Sequence, residues 1–354
     1  MAAKAEQERL LKEAVLAMKG GMGLTAAAKL YKVQDVKKLE LHHAAHKQGT
    51  LLYWIGFAIV LLAFSLRTKI FVSVISNVVL AHPVARKLMW RATFDYISLV
   101  FRDETLFMNY GYLPDEKSPF ELYPTSELSR DQNNANLVSA VLATAKVQGK
   151  TGLAALEIGS GRGGGARFVM QNFPLHIASL TAVDFSTTAV QLCRERHADV
   201  SGLTFVHGDA ERLPLPSESF DLVINIESSH CYSNVPAFVS EAYRVLRPGG
   251  TFCVTDFRAA DKMENFLREL RNQTWASTVD LDITNGVLAA LTEDDDRKRL
   301  AIASRTPYLL RSLFEEFAGL RGGMVFTGLG ERKILYTIFC AEKSSRRDKE
   351  EGEE

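Results

Sequence analysis

Five ionisable residues stand at or just beyond the ends of short apolar runs: Glu157, Asp184, Asp209, Glu227 and His230. A carboxylate in such a place can accept hydrogen bonds from the paired hydroxyls of a ribose or from an exocyclic amine. An imidazole there can take a proton from a hydroxyl as a general base, a contribution of about 10²–10⁴-fold to rate. The turn "LEIGSGRGGG", residues 156–165, brings glycines to the same region. Gly159, Gly161 and Gly164 fit G-x-G-x-x-G, the dinucleotide fingerprint. Gly159, Gly161 and Gly163, preceded by Glu157, fit equally the E/D-x-G-x-G-x-G turn that holds S-adenosylmethionine. The glycines alone do not choose.

The acidic residues do. Asp184 follows Gly163 by 21 positions and suits a ribose in either cofactor. Asp209, in "HGDAERLP", can accept from an adenine amine while Ala210 offers its backbone N–H, a feature that a nicotinamide site does not need. Glu157 would repel a pyrophosphate but is tolerable beside a zwitterionic methionine tail, where it can organise the loop. The absence of a basic residue at the helix start also fits a cofactor without phosphates. S-adenosylmethionine is therefore the expected cofactor. His230 is the candidate general base, and Glu227, three residues earlier, is expected on the same helical face to orient or charge-stabilise it. The plainer alternative makes Glu227 a helix cap and His230 a surface residue.

The elements that must position these groups are short. "LAALEIG", "LTAVDFS", "LTFVHGD", "DLVINIE" and "GGTFCVTDF" suit buried parallel strands, and helical stretches such as 190–197 and 236–246 separate them. This is an α/β doubly wound sheet, whose ligands sit at the carboxyl ends of the strands. A charged, partly helical insertion follows at about 259–303. The chain then returns through a helix near 307–317, a strand near 320–327, the turn "GLGERK" and a strand at 334–341, a closing antiparallel hairpin.

Upstream, residues 4–46 read as two helices around a glycine turn. Residues 48–66 carry no charge, and at about 1.5 Å rise per residue they cover most of a hydrocarbon layer. Tyr53 and Trp54 suit one interface, and Arg67 and Lys69 close the other end. A second uncharged stretch, 70–85, suits a shallow or re-entrant helix. A buried core helix is the other reading of each. Lys and Arg total 42, as do Asp and Glu, so no global field draws the chain to nucleic acid. Cys193, Cys231, Cys253 and Cys340 form no C-x-x-C pair, which speaks against both a zinc site and a disulfide framework and fits a reducing compartment. His42, His43 and His46 lack acidic or thiol partners, so no metal is expected. The last residues are a charged tail expected to be disordered.

Residues 157–163 (EIGSGRG), 183–186 (VDFS), 208–210 (GDA), 220–221 (FD) and 246–250 (LRPGG) together resemble the class I S-adenosylmethionine-dependent methyltransferases. With "NIESSHCY" and "FMNYGY" the chain is similar to the subgroup acting on macrolide sugars and mycobacterial phenolic lipids, and more loosely to tocopherol and sterol methyltransferases. The resemblance implies a Rossmann-like seven-stranded sheet, a lid over the cofactor that includes Tyr110 and Tyr112, and cofactor contacts from Phe185. Domains are expected at 1–48 (helical), 49–85 (membrane anchor), 86–136 (lid and substrate cap), 137–343 (methyltransferase) and 344–354 (tail). The expected activity is methyl transfer to a hydroxyl, less readily a carbon, of a lipid or small hydrophobic acceptor. The enzyme is expected on the endoplasmic reticulum or another intracellular membrane, its catalytic domain facing the cytosol. A membrane-anchored, non-catalytic binding protein on the same fold is the alternative.

Overall fold

Residues 82–100, 107–116, 118–120, 122 and 131–345 are described by the computed structural model. Strand β1 (Leu153–Ile158) lies at the centre because its residues are apolar toward both faces. It pairs in parallel with β2 (Ile177–Asp184) and β4 (Phe220–Ile226). Outward from these, β3 (Leu203–His207) joins β2 and β5 (Leu246–Ala259) joins β4, also in parallel. The carboxyl ends of these strands share one edge, which brings Glu157, Asp184 and Glu227 together although 27 and 43 residues separate them in sequence.

Two helical layers cover the sheet. Helix α1 (Pro83–Val100) precedes α2 (Gln132–Thr144), and on one face of the sheet α2 packs Leu137, Val138 and Val141 against Phe168 and Val169 of α3 (Gly164–Asn172). Helix α4 (Thr187–Arg196) contributes Val190 and Cys193 to the same core. On the other face α5 (Val235–Val245) and α6 (Ala260–Arg271) bury Phe238, Val239, Phe266 and Leu270. Each such side chain contributes about 1.5–3 kcal/mol. Asn234 starts α5 as an N-cap, its side chain accepting from Ala237 N at 3.1 Å.

The seven-stranded sheet has the order β3-β2-β1-β4-β5-β7-β6 and closes with the expected antiparallel pair, although the first strand of that pair is not the expected one. Strand β7 (Ile334–Lys343) runs between β5 and β6 (Trp275–Asp282), and β6 comes from within the expected insertion. The stretch expected as a strand near 320–327 instead enters helix α9 (Met324–Gly330). Two physical reasons account for this. The edge strand β6 leaves most of its side chains exposed, so "WASTVDLD" shows no apolar run. Val325, Phe326 and Leu329 pack on the core at helical spacing, and Gly328 lets α9 approach, since a Cβ there would meet Ile334 Cδ1 at 2.7 Å. Between β6 and β7 lie also α7 (Thr284–Arg305) and α8 (Tyr308–Phe317).

The expected N-terminal membrane segment is corrected. Among the described residues no helix is long and apolar enough to cross a membrane. The first stretch, 48–66, lies outside the described residues, as do 1–47 with their three histidines and the tail from 346. The second stretch reaches them only at its end, where Pro83 opens α1, a helix interrupted by Arg86, Lys87, Arg91 and Asp95. The cysteine expectation is corrected too. Cys253 and Cys340, 87 residues apart, are register partners on β5 and β7 and form a disulfide. Antiparallel register sets opposite one another residues whose sequence spacing carries no signal. Cys193 and Cys231 are free and buried.

Candidate active site

The glycine turn runs from β1 into α3. Gly159 and Gly163 both have φ of 76°. A Cβ at Gly159 would fall 2.2 Å from Ser228 Oγ, and one at Gly163 would fall 2.8 Å from Phe205 Cζ. Protein packing as well as ligand approach therefore fixes these glycines. Gly161 N donates to Asp184 Oδ2 at 2.8 Å, and Ser186 N donates to Asp184 Oδ1 at 2.8 Å. Burial, against these backbone bonds, pushes the Asp184 carboxyl up to about 6. Each oxygen of Asp184 thus retains a lone pair. Ser160 Oγ in the turn and Glu157 Oε2 beneath it are buried without a hydrogen-bond partner. A polar ligand lying along the turn would satisfy the serine hydroxyl, so these residues fit a nucleoside cofactor with a polar tail.

Glu157 is only 4% exposed. Burial first, and then the Asp184 charge, push its carboxyl up to about 8. The folded chain therefore keeps this proton through neutral pH while the unfolded chain loses it near 4.5. Stability falls as pH rises between those values and levels off above the higher. Glu157→Gln is expected to remove that slope, adding roughly 1–3 kcal/mol at pH 8 and almost nothing at pH 4.5. Urea unfolding at the two pH values checks it, and an equal effect at both would contradict the assignment.

At the end of β3, Asp209 is half-buried and Ala210 buried. Asp209 Oδ1 accepts from Glu211 N at 3.0 Å, and Asp209 Oδ2 pairs with Lys87 Nζ at 2.7 Å. Phe185 lies beside the same edge, its ring stacked on His207.

Beyond β4, His230 sits in a 3₁₀ turn (Ser229–Cys231). Its Nδ1 lies 2.9 Å from Asp256 Oδ1, and its backbone N donates to Asp256 Oδ2 at 2.9 Å. Ser229 Oγ and Phe257 N also donate to the Asp256 carboxylate, at 2.6 and 2.8 Å. Burial works against charge on His230, yet Cys231 and Asp256 hold its imidazole well above its ordinary value. Burial alone would likewise raise Asp256, but His230 and Arg258 hold it below the usual carboxylate range. An ion pair at rest, this dyad has one ring nitrogen, Nε2, left for an incoming group.

The expected partner of His230 is displaced. Glu227 has φ of 50°, so the chain is not helical there and the three-residue spacing does not align the two side chains. Its Oε2 instead accepts from Tyr110 N at 2.6 Å. Burial and the Asp256 charge push the Glu227 carboxyl up to about 8. Tyr110 reaches the site: its ring stacks on Phe257 at 5.5 Å and its hydroxyl donates to Phe317 O at 3.3 Å. Tyr112 does not. It is turned into the core against Phe120 and Gly286, its hydroxyl bonded to Ser118.

Asp256 is the residue that the sequence reading missed, although "VTDF" closes an apolar run as "AVDF" does. A belt of rings was missed as well. Trp90 meets His230 edge-on at 5.9 Å and Phe94 at 5.8 Å, Phe94 meets Phe317 at 6.0 Å, and Phe257 lies 4.7 Å from His230. A His–Asp dyad inside an aromatic belt, once its imidazole has given up the Nε2 proton, can deprotonate a group carried by an apolar molecule.

A family model described as a methyltransferase domain matches residues 156–254. The phthiotriol/phenolphthiotriol dimycocerosates methyltransferase of Mycobacterium leprae is 33% identical over 258 residues, which are 73% of this chain and 93% of that protein. The fatty-acid O-methyltransferase of Mycolicibacterium smegmatis is 33% identical over 238 residues, 67% of this chain and 83% of that protein. Among solved structures, the [4+2]-cyclase SpnF matches 73% of this chain and 96% of its own with a TM-score of 0.55 and 20% identity, a likeness of fold.

Proposed function

The chain belongs to the S-adenosylmethionine-dependent methyltransferases, and from that membership we propose that it methylates a hydroxyl oxygen of a lipid-like acceptor. The observation that carries this reading is the His230–Asp256 dyad set within the belt of Trp90, Phe94, Tyr110, Phe257 and Phe317. The names of the two similar mycobacterial proteins support the acceptor class, since both specify lipids and one specifies O-methylation.

S-adenosylmethionine is the cofactor, and when bound it supplies a methyl group already activated by its sulfonium. The residues assigned to hold it are the turn Gly159–Ser160–Gly161–Gly163 above Glu157, with Asp184 accepting from the ribose hydroxyls. Asp209 and the Ala210 N–H take the adenine edge, with Phe185 alongside it. Tyr110 faces the methionine end, where an aromatic ring favours a cation. Asp256 fixes the His230 tautomer by accepting at Nδ1, so that Nε2 accepts the acceptor's proton. The aromatic belt excludes water and orients the apolar part of the acceptor.

Asp184→Ala is expected to weaken S-adenosylhomocysteine binding by more than about tenfold, since a hydrogen bond to a charged group is worth roughly 1.5–3 kcal/mol. Calorimetric affinity unchanged in a folded variant would remove the ribose assignment. The overall reading is tested by transfer of labelled methyl from S-adenosylmethionine into a lipid extract, with the product analysed by mass. A methylated hydroxyl is the expected product. Label on carbon, or none in any lipid fraction from an enzyme that binds the cofactor, would overturn it.

A further inference from the structure

One face of α1 meets both halves of the site. Lys87, Trp90, Arg91, Phe94 and Asp95 recur at helical spacing, so they project to the same side. Lys87 Nζ lies 2.7 Å from Asp209 Oδ2 and 2.7 Å from Glu211 Oε2, beyond β3. Arg91 Nη2 donates to Thr187 Oγ1 at 3.0 Å and its guanidinium lies over the Phe185 ring, while Asp95 accepts from Ser186 Oγ, all just beyond β2. Trp90, one turn on from Lys87, faces His230.

We propose that Lys87 is a specificity-determining residue for the cofactor: its ammonium competes with the adenine exocyclic amine for Asp209 Oδ2 and yields by shifting onto Glu211. The proposal rests on the reading of Asp209 as the adenine acceptor. The chemistry of the exchange is simple. An ammonium and an exocyclic amine are both N–H donors, and they compete for Asp209 Oδ2, the oxygen that Glu211 N does not bond. Glu211 lies at the same 2.7 Å distance, so displacement does not strand the charge. A ligand without a donor at the adenine edge would leave Lys87 in place, and the site would then present an ammonium instead of a free carboxylate. Lys87 in this way narrows the preference for adenine over a base carrying a carbonyl there, since only the amine competes with the ammonium, whereas a carbonyl can accept from it.

Calorimetric titration of the full-length protein with S-adenosylhomocysteine tests this. Lys87→Met is expected to bind about two- to fivefold more tightly than wild type, the range given by loss of one partly exposed ion pair. Wild-type affinity should rise with salt, which screens the competing pair, and that of Lys87→Met should not. Lys87→Arg should keep the wild-type behaviour. Glu211→Gln has the opposite expected sign, because Lys87 released from Asp209 would then find no second carboxylate, and affinity should fall about threefold. It also keeps the proposal testable if the methionine variant does not fold. S-Inosylhomocysteine, with a carbonyl in place of the amine, should gain less affinity from Lys87→Met than S-adenosylhomocysteine does. Unchanged or weaker binding by Lys87→Met would overturn the proposal while leaving the cofactor assignment intact, provided that Asp184→Ala still weakens binding. Loss of binding in wild type would overturn both.

Discussion

His230→Ala lowers turnover by about 10²-fold or more and leaves S-adenosylhomocysteine affinity within about twofold. The expectation follows from the position of the imidazole: it belongs to the turn beyond β4, while the cofactor groups lie on the turn after β1 and at the ends of β2 and β3. General-base assistance is worth about 10²–10⁴-fold, and its removal affects turnover more than ground-state binding. The pH dependence has a definite sign. Asp256 and Cys231 hold His230 above its ordinary value, so at neutral pH the ring carries a proton and must lose it before it can act as a base. Wild-type turnover therefore rises with pH above neutral, and His230→Ala loses that limb while recovering part of its rate at high pH, where solvent base substitutes. A variant that loses cofactor affinity with no change in the limb would make His230 structural. A weak effect on turnover would point to a carbon or nitrogen acceptor, for which a base matters less.

What could be read from the sequence was local. Gly159, Gly161 and Gly163, with Asp184 and Asp209, each sit within a few residues of the end of an apolar run, so strand pattern alone brings them to one edge. The elements missed depend on partners far away in the chain. Strand β6 is an edge strand whose side chains face solvent, and the apolar residues of α9 were contiguous enough to read as a strand. Asp256 and His230 are 26 positions apart and meet only because β4 and β5 are neighbours, so sequence spacing alone favours the nearer Glu227. The left-handed backbone at Glu227 defeats that inference, since it turns the side chain to Tyr110 N. The aromatic belt joins α1, the segment around Tyr110, the end of β5 and α8, four pieces whose rings have no common spacing.

Asp256→Asn is expected to lower turnover by about 10²-fold and to move the rising limb of the pH profile toward acid. Asp256 is wholly buried and accepts from His230 Nδ1, His230 N, Ser229 Oγ and Phe257 N, with Arg258 at 3.3 Å. An asparagine offers one acceptor oxygen in place of two and turns an amide donor toward one of these donors. His230 then loses the carboxylate that raises it, so it gives up its proton at lower pH and the limb follows. Leaving Arg258 and His230 without their carboxylate costs about 3–5 kcal/mol of stability. The cost depends on pH in both directions. The contribution of Asp256, whose folded value is depressed, is present above its unfolded value near 3.9 and lost as pH falls through the folded one. That of His230, whose folded value is raised, is present below about 6.5 and lost as pH rises through the folded one. The stability gap between wild type and Asp256→Asn should therefore be widest near pH 5 and narrow toward pH 9, as urea unfolding at those values would measure. A merely structural carboxylate would depress turnover equally at every pH and leave the limb where it was, and that outcome would take Asp256 out of the positioning role. A shifted limb with a smaller stability gap at pH 9 requires that the same carboxylate hold both the fold and the proton on His230.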